Sequence, residues 1–374
     1  MAHAKSSCGC FVIGLALTIT GCGVSEEPGE PEATEPFTDT QVATLTATRA
    51  VGYGAATTGG GTKAAVNVNS MAAMQAAIDA YDGTSGLVLN YTGVFNFGSI
   101  TNVCAQWQKA AQIVQIKKKN NITIIGASGS SANFGIHIAG PSSNIIVRNM
   151  TLGLLPGGSD ADSISIEGMS SGVPSNVWID HNTIFASLTE CAGAGDSSFD
   201  GGIDMKKGAH HITVSYNFIH DYQKVALNGF SDSDTINNNA RTTYHHNRYE
   251  NVKSRLPLQR FGLTHIYNNY FKNVITSGIN VRMGGLSLIE SNVFENVKNP
   301  VTSRDSSAIG FWDLRNNLSS GITWDAGSSG TVNATNWQTT RAFGSTGYTY
   351  TLTPVASVRA NVIATAGAGT NLAQ

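Results

Sequence analysis

Two arginines stand five residues apart in the segment KSRLPLQRFG, residues 253–262. Arg255 and Arg260 flank Pro257, although only 13% of the whole chain is charged. The planar guanidinium group of arginine binds carboxylates through two parallel hydrogen bonds. The segment therefore predicts contact with a negatively charged ligand.

Four acidic residues and a lysine precede this segment and could act together with it. Carboxylate oxygens are the hard ligands that calcium takes, whereas zinc would call for His or Cys partners close in sequence. Crowded acids without a cation would repel one another and raise one another's pKa. The alternative is a set of solvated loop acids. The choice depends on whether the fold brings the side chains together. These residues are Asp160, Asp162, Asp200, Asp204 and Lys224.

Short strand-like runs recur along the chain, each followed by an asparagine and another apolar residue. Successive asparagines are separated by 33, 35, 30, 22, 23 and 25 residues. A basal period of about 22 residues is too short for two packed helices but suits one coil of a parallel β-helix. Stacked amides would form a hydrogen-bonded ladder, although asparagine could also merely mark turns. The aligned residues are Asn149, Asn182, Asn217, Asn247, Asn269, Asn292 and Asn317.

This period predicts an all-β solenoid. The apolar spacing of residues 71–81 predicts an amphipathic helix, and its place before the first clear coil predicts that it caps the open core. A leucine-rich repeat would need leucines at fixed offsets and helical segments, and the sequence has neither. The three longest intervals predict long loops on one face. Lys224 and Arg255 follow Asn217 and Asn247 by seven and eight residues, so they should occupy similar positions on adjacent coils. Acids and bases from distant parts of the sequence would then meet on one wall.

The N-terminal region differs from the rest of the chain. Residues 1–21 contain an early lysine and an apolar run, and with the following Cys22 they resemble a bacterial lipoprotein signal; an ordinary secretory signal peptide is the alternative. The apolar run is too short to span a membrane. Residues 22–45 would form a lipidated cysteine with an acidic, proline-rich tether, and 46–374 a single folded domain. We therefore expect export, either as a secreted protein or as a lipoprotein anchored on the periplasmic or extracellular side.

Charge and cysteine content of the body fit this location. Without residues 1–40, 22 Lys and Arg face 25 − 6 = 19 Asp and Glu, which mildly suits a polyanionic partner. Cys104 and Cys191 are the pair that remains after removal of the signal and acylation of Cys22, and an exported pair predicts a disulfide.

Several motifs resemble those of family 1 pectate lyases. They are NVWIDHN (176–182), DGGIDMKKGAHHITVSYN (200–217), KVALNG (224–229), RLPLQR (255–260) and AGAG (366–369). The similarity runs from about residue 60 to the C-terminus. It implies a right-handed parallel β-helix that cleaves polygalacturonate by β-elimination with Ca²⁺.

The resemblance also assigns roles by position. Asp162, Asp200 and Asp204 match the calcium-binding acids of the family, and Asp160 matches an additional acid that some members use for further calcium ions. Some members have Glu where this chain has Asp200, and some have Asp where it has Asn228. Arg255 matches the proposed catalytic base. The substrate-binding cations are matched by Lys224 and Arg260.

These residue types suit the reaction. β-Elimination removes the proton on C5 beside a carboxylate, so bound Ca²⁺, Lys224 and Arg260 would offset the developing negative charge. Arginine normally stays protonated, and Arg255 could instead be an electrostatic stabiliser with water or hydroxide as the base. Alkaline conditions and neighbouring positive charge would favour the base role.

Three rival functions would use a similar fold. A pectin lyase, acting on methyl-esterified chains, would not need three acids or this density of cations. A non-catalytic polysaccharide-binding β-helix could lose the acids and bases, and a polygalacturonase would need paired carboxylates for hydrolysis. We expect a monomer that binds polygalacturonate, does not bind nucleic acid, and contacts a membrane only through its lipid anchor.

Overall fold

The computed structural model describes residues 49–158, 161–195 and 197–369. The predicted signal, Cys22, the tether and Asp160 lie outside the described residues. No helix within the described part of the chain is long and apolar enough to cross a membrane.

The strands of the described chain form three sheets, and successive coils add parallel strands to each of them. This is the predicted β-helix. The first sheet contains β1 (Ala65–Val68), β2 (Leu87–Tyr91), β4 (Ile122–Gly126), β6 (Ser143–Arg148), β9 (Ser175–Asp180), β12 (His210–Ser215), β15 (Arg241–His245), β18 (Leu263–Tyr267), β21 (Leu286–Glu290) and β24 (Phe311–Arg315). The second contains β7 (Thr151–Gly153), β10 (Thr183–Phe185), β13 (Phe218–His220), β16 (Arg248–Val252), β19 (Tyr270–Val274), β22 (Val293–Val297) and β25 (Leu318–Ser320). The third contains β3 (Ile113–Lys117), β5 (Gly135–Ala139), β8 (Ile164–Glu167), β11 (Asp200–Lys206), β14 (Lys224–Asn228), β17 (Leu258–Arg260), β20 (Ile279–Arg282), β23 (Val301–Ser303) and β26 (Val332–Asn333), of which β26 is antiparallel to β23.

Inward-facing aliphatic and aromatic side chains fill the solenoid. Neighbouring coils stack side chains of the same type on one another, as in the stacked rings of Tyr249, Phe271 and Phe294. Helix α1 (Met71–Ala80) forms where the amphipathic pattern predicts it, with Ser70 accepting a hydrogen bond from the Ala73 backbone as its N-cap. It contributes two buried side chains to this core, Met74 and Ile78.

Two further helices lie outside the coils. Helix α2 (Val103–Trp107) begins at the N-cap Asn102, whose side chain accepts two backbone hydrogen bonds. Helix α3 (Val355–Thr365) packs Val358 and Val362 against Tyr270 on the second sheet.

The asparagine ladder is present, with one correction. From Asn182 to Asn292, each asparagine donates two hydrogen bonds, one from its backbone N–H and one from its side-chain amide. Both go to the side-chain oxygen of the next asparagine in the ladder, at 2.9–3.0 Å, and the last acceptor is Asn317. Asn149 does not belong to it: Met150 takes the ladder position, and its N–H donates to Asn182 Oδ1 at 2.9 Å. Asn149 instead has a φ of 56° and donates to the Gly126 carbonyl. The alignment of Asn149 was therefore wrong by one residue.

Asp180 and His181 form a buried hydrogen-bonded cluster beside the ladder. The buried Asp180 carboxylate accepts hydrogen bonds from Arg148, at 2.9 Å, and from Ser215, at 2.6 Å. Its Oδ2 also lies 2.6 Å from His181 Nδ1. These partners come from three successive coils, so the cluster joins them.

The long loops adjoin the third sheet. Residues 154–158 and 161–163 precede β8, residues 186–195 and 197–199 precede β11, and residues 229–240 follow β14. A disulfide between Cys104 and Cys191, with a Cα–Cα distance of 5.4 Å, ties the loop before β11 to α2. The predicted pairing is thus present, and it anchors the segment that leads into Asp200.

The buried ladder should carry a large share of coil-to-coil stability. Asn247 is fully buried, and its oxygen accepts from Asn217 while its amide donates to Val214 and Asn269. Asn247→Ala leaves several buried groups unpaired, each costing about 1–3 kcal/mol, so the free energy of unfolding should fall by roughly 3 kcal/mol or more.

Chemical denaturation of both variants and the wild type measures this. The matched control is Asn90→Ala, which removes a single 2.8 Å amide–amide bond to Asn67 at the surface and should cost under about 1 kcal/mol. Equal losses for the two variants would contradict a structural role for the ladder.

Candidate functional site

The charged residues singled out in the sequence meet on the outer face of the third sheet. Asp200 is directly opposite Lys224 in the register between β11 and β14, and Lys224 is opposite Ser254, next to Arg255. Successive parallel strands lie about 4.8 Å apart. The expected convergence of acids and bases from separate coils on one wall is therefore observed for the described residues.

Asp200 binds two cations at once. Its Oδ2 lies 3.2 Å from Lys224 Nζ, and its Oδ1 lies 3.1 Å from Arg255 Nη1. Lys224 also donates to Ser197 Oγ at 3.0 Å. The three groups are only partly buried, so a ligand approaching from solvent can reach them.

Asp162 and Asp204 form a second acidic pair, joined by Lys206. Lys206 Nζ lies 2.6 Å from Asp162 Oδ2 and 3.3 Å from Asp204 Oδ2. The two acids are 7% and 3% exposed. Burial, together with the charge of Asp162, raises the pKa of Asp204 to about 7, and burial also raises the pKa of Asp162. Although burial acts in the opposite direction, the two carboxylates raise the pKa of Lys206.

This acidic pair has the chemistry of a calcium ligand set. Asp204 Oδ1 is buried without a hydrogen-bond partner, so one carboxylate oxygen is left for a hard cation. Gly201 has a φ of 97°, and a Cβ there would come within 1.9 Å of Asp162 Oδ1, so only glycine lets β11 pass this close. Within residues 49–158, 161–195 and 197–369, no three acidic, His or Cys side chains are already grouped as a metal site. To bind a metal ion together with Asp162 and Asp204, the Asp200 side chain would have to rotate away from Lys224 and Arg255.

Arg255 has a left-handed backbone conformation, which it shares with many turn residues of the described coils. Its φ is 66°, in the left-handed region that non-glycine residues rarely adopt. The conformation is held by neighbouring coils, since its carbonyl accepts from Ala226 N at 2.8 Å and the next residue, Leu256, donates to the Gly278 carbonyl at 3.1 Å. These contacts fix the direction in which the Arg255 side chain leaves the coil.

Arg260 is held in place by the loop that follows β14. Its Nε donates to Asp232 Oδ1 at 2.7 Å, and its Nη1 donates to the Gly229 carbonyl at 2.9 Å. Asp232 Oδ2 accepts in turn from Ser306 and Ser307. Although burial opposes it, these hydrogen bonds lower the pKa of Asp232 to about 2, so the carboxylate stays charged. Two loops thereby fix the orientation of one guanidinium group.

Two cations of the wall were missed by the sequence analysis. Arg282 is opposite Arg260 in the register between β17 and β20 and is 8% exposed. Burial and the charge of Arg260 lower its pKa to about 10. Its spacing of 22 residues from Arg260, one basal period, was the available signal. Lys206 could have been found from its position two residues after Asp204 on the same strand, which places both on one face.

Asn228 does not face this wall. It is buried, donates to Gln259 Oε1 at 2.7 Å and accepts from Tyr244 at 2.8 Å. Its side chain therefore points into the interior of the solenoid and cannot reach a calcium ion on the outer wall.

Comparisons with known proteins agree with this geometry. A sequence model described as pectate lyase matches residues 37–371. Pectate lyase 3 of Pectobacterium carotovorum is 44% identical over 349 residues, which cover 86% of this chain and 91% of the relative.

Solved structures show the same likeness. Pectate lyase II from Xanthomonas campestris pv. campestris is 68% identical with a TM-score of 0.85, covering 87% of this chain and 100% of that one. A variant of pectate lyase C in complex with pentagalacturonic acid is 40% identical with a TM-score of 0.78, covering 89% of this chain and 98% of that one. The fold, the wall of paired charges and these matches together place the chain in the pectate lyase family, to which it belongs.

Proposed function

We propose that this protein is a calcium-dependent pectate lyase that cleaves α-1,4-linked polygalacturonate by β-elimination, giving unsaturated oligogalacturonides. The observation that carries the proposal is the meeting of Asp162, Asp200 and Asp204 with Lys224, Arg255 and Arg260 on one wall. A polyuronate needs cations for its carboxylates and a base for its C5 proton, and this wall supplies candidates for each. A related pectate lyase C binds pentagalacturonic acid, which supports the substrate class.

The acids would hold the metal. Asp162, Asp200 and Asp204 offer six carboxylate oxygens, within the range of ligands that calcium accepts. Asp160, which precedes Asp162 by two residues, would hold a further ion. Bound Ca²⁺ would neutralise a substrate carboxylate and so favour loss of the adjacent proton. Pectate lyase C from Erwinia chrysanthemi has been studied with Ca²⁺, which supports the choice of metal.

Arg255 would remove the C5 proton. In its neutral form the guanidine accepts that proton, the C5–H electron pair forms the C4–C5 double bond, and the C4–O bond to the leaving sugar breaks. The leaving oxygen then takes a proton from water, and the hydroxide so formed takes the proton from Arg255, which regenerates the neutral guanidine. The Asp200 contact at 3.1 Å and the left-handed backbone at Arg255 hold its side chain on the wall.

The other cations would bind substrate carboxylates. Arg260 uses Nε and Nη1 for Asp232 and Gly229, so its Nη2 edge is directed elsewhere and can meet a uronate. Lys224 lies one coil earlier, and Arg282 one coil later than Arg260. These positions would align successive carboxylates along the stack of coils.

Calcium dependence is the first test. We expect chelation to abolish formation of unsaturated product from polygalacturonate, measured by ultraviolet absorbance, and added CaCl₂ to restore it. Asp204→Asn removes one charged ligand and should raise the calcium concentration needed by about tenfold or more. Asp221→Asn, on a half-exposed acid paired with His220 outside this wall, should leave it unchanged. Full activity in excess chelator would instead favour a pectin lyase.

The role of Arg255 gives the second test. Arg255→Lys keeps the positive charge but loses the guanidine group, so kcat should fall about 100-fold or more, while KM changes little. Arg260→Ala should raise KM as well as lower kcat, because it removes a carboxylate contact.

Kinetics on polygalacturonate over a pH series into the alkaline range separate the possibilities. Arg241→Lys, on the first sheet, serves as the charge-conserving control. A near-normal kcat for Arg255→Lys at every pH would point to water or hydroxide as the base.

Location gives the third test. We propose that Cys22 is acylated and that the protein is exported as a lipoprotein, on the evidence of the Ile19-Thr20-Gly21-Cys22 motif. The mature protein should partition with membranes, and Cys22→Ser should release it. Mass spectrometry of the mature N-terminus is the measurement. An unmodified N-terminus at another residue would refute acylation and favour ordinary secretion.

A further inference from the structure

Lys206 occupies the space between two carboxylates that the proposed function assigns to the metal. Its Nζ lies 2.6 Å from Asp162 Oδ2 and 3.3 Å from Asp204 Oδ2. Calcium binds carboxylate oxygens at about 2.3–2.6 Å. A calcium ion held by these same two oxygens would therefore lie where the ammonium group lies, and the two cations cannot share that position.

We propose that Lys206 competes with calcium: its ammonium group occupies the Oδ2 oxygens of Asp162 and Asp204 and must leave them before Ca²⁺ can bind those two oxygens. The inference rests on the proposed function, because it takes these acids as metal ligands. It adds a residue that sets the affinity for the ion without being a ligand itself.

Electrostatics of the buried pair explain why such a group is present. Two acids this deeply buried repel one another, and a buried charge without an oppositely charged partner destabilises the fold. Lys206 offsets both charges at once, and only 23% of its side chain is exposed. Its stem can extend into solvent, since lysine has a flexible four-carbon chain. The ammonium can thus withdraw when a divalent cation takes over its role.

Lys207 provides a matched comparison one residue away. Its Nζ pairs with Glu167 Oε1 at 2.6 Å, and half of its side chain is exposed. Removing either lysine changes the net charge of the protein equally. Of the two lysines, Lys206 contacts Asp162 and Asp204 and Lys207 does not. If the competition is specific, the calcium affinity should therefore change when Lys206 is replaced but not when Lys207 is replaced.

The test is direct titration of CaCl₂ into calcium-stripped protein without substrate, by isothermal titration calorimetry. Lys206→Met should bind Ca²⁺ more tightly than the wild type by a factor of about 5 to 150, the usual range of coupling between two binding events. Lys207→Met should stay within about twofold of the wild type. Lys206→Arg, which keeps a cation between the acids, should not gain affinity.

A second measurement keeps the test decisive if Lys206→Met is unstable without metal. Its thermal midpoint over a CaCl₂ series yields the affinity by linkage, because an ion that binds only the folded state raises that midpoint. We expect a steeper rise for Lys206→Met than for Lys207→Met. An unchanged or weaker calcium affinity in Lys206→Met, with normal binding by the wild type, would overturn the competition. Failure of the wild type to bind calcium would instead overturn the proposed metal site.

Discussion

The parallel register of the third sheet is the constraint on which the site depends. Each coil contributes outward side chains to this sheet, and stacking at about 4.8 Å brings those of successive coils side by side. Asp200, Lys224 and Arg255 are separated by 24 and 31 residues in sequence, yet they form one hydrogen-bonded group. A slip of one residue in a coil would turn its charged side chain into the core. The buried amides of the ladder and the Asp180 cluster oppose such a slip.

Opposite charges then compensate each other across the wall. Asp200 is paired with Lys224 and Arg255, Lys206 with Asp162 and Asp204, and Arg260 with Asp232. The third sheet can therefore present a dense set of acids and bases on a folded surface. Ligand binding on such a wall becomes an exchange of partners, in which each calcium ion or uronate carboxylate replaces an ionic contact already made.

Sequence alone predicted the parts of this arrangement that repeat. The period near 22 residues, the ladder from Asn182 to Asn317 and the close approach of Lys224 and Arg255 on adjacent coils all follow from one structural unit stacked on itself. The error at Asn149 arose in the first long interval, where an asparagine in the left-handed turn position resembles one in the ladder position. Local spacing does not separate two adjacent positions that favour the same residue type.

Contacts between non-repeating segments were beyond such reasoning. Asp232 accepts a hydrogen bond from Arg260 and another from Ser307, which lies on a loop 75 residues further along the chain, and no period links the two loops. The choice of partner for Lys206 likewise depends on how deeply Asp162 and Asp204 are buried. Arg282 was predictable in principle, because it lies one period after Arg260, but a single arginine without a motif carries little signal.

The most direct test of the account is the position of calcium in a crystal of the Arg255→Lys variant soaked with CaCl₂ and an oligogalacturonate. We expect an ion coordinated by Asp162, Asp200 and Asp204 and by a substrate carboxylate, with the Lys206 ammonium no longer between Asp162 and Asp204. We also expect uronate carboxylates on Lys224 and Arg260. An ordered oligogalacturonate bound elsewhere, or calcium that leaves these three acids with their present partners, would contradict it.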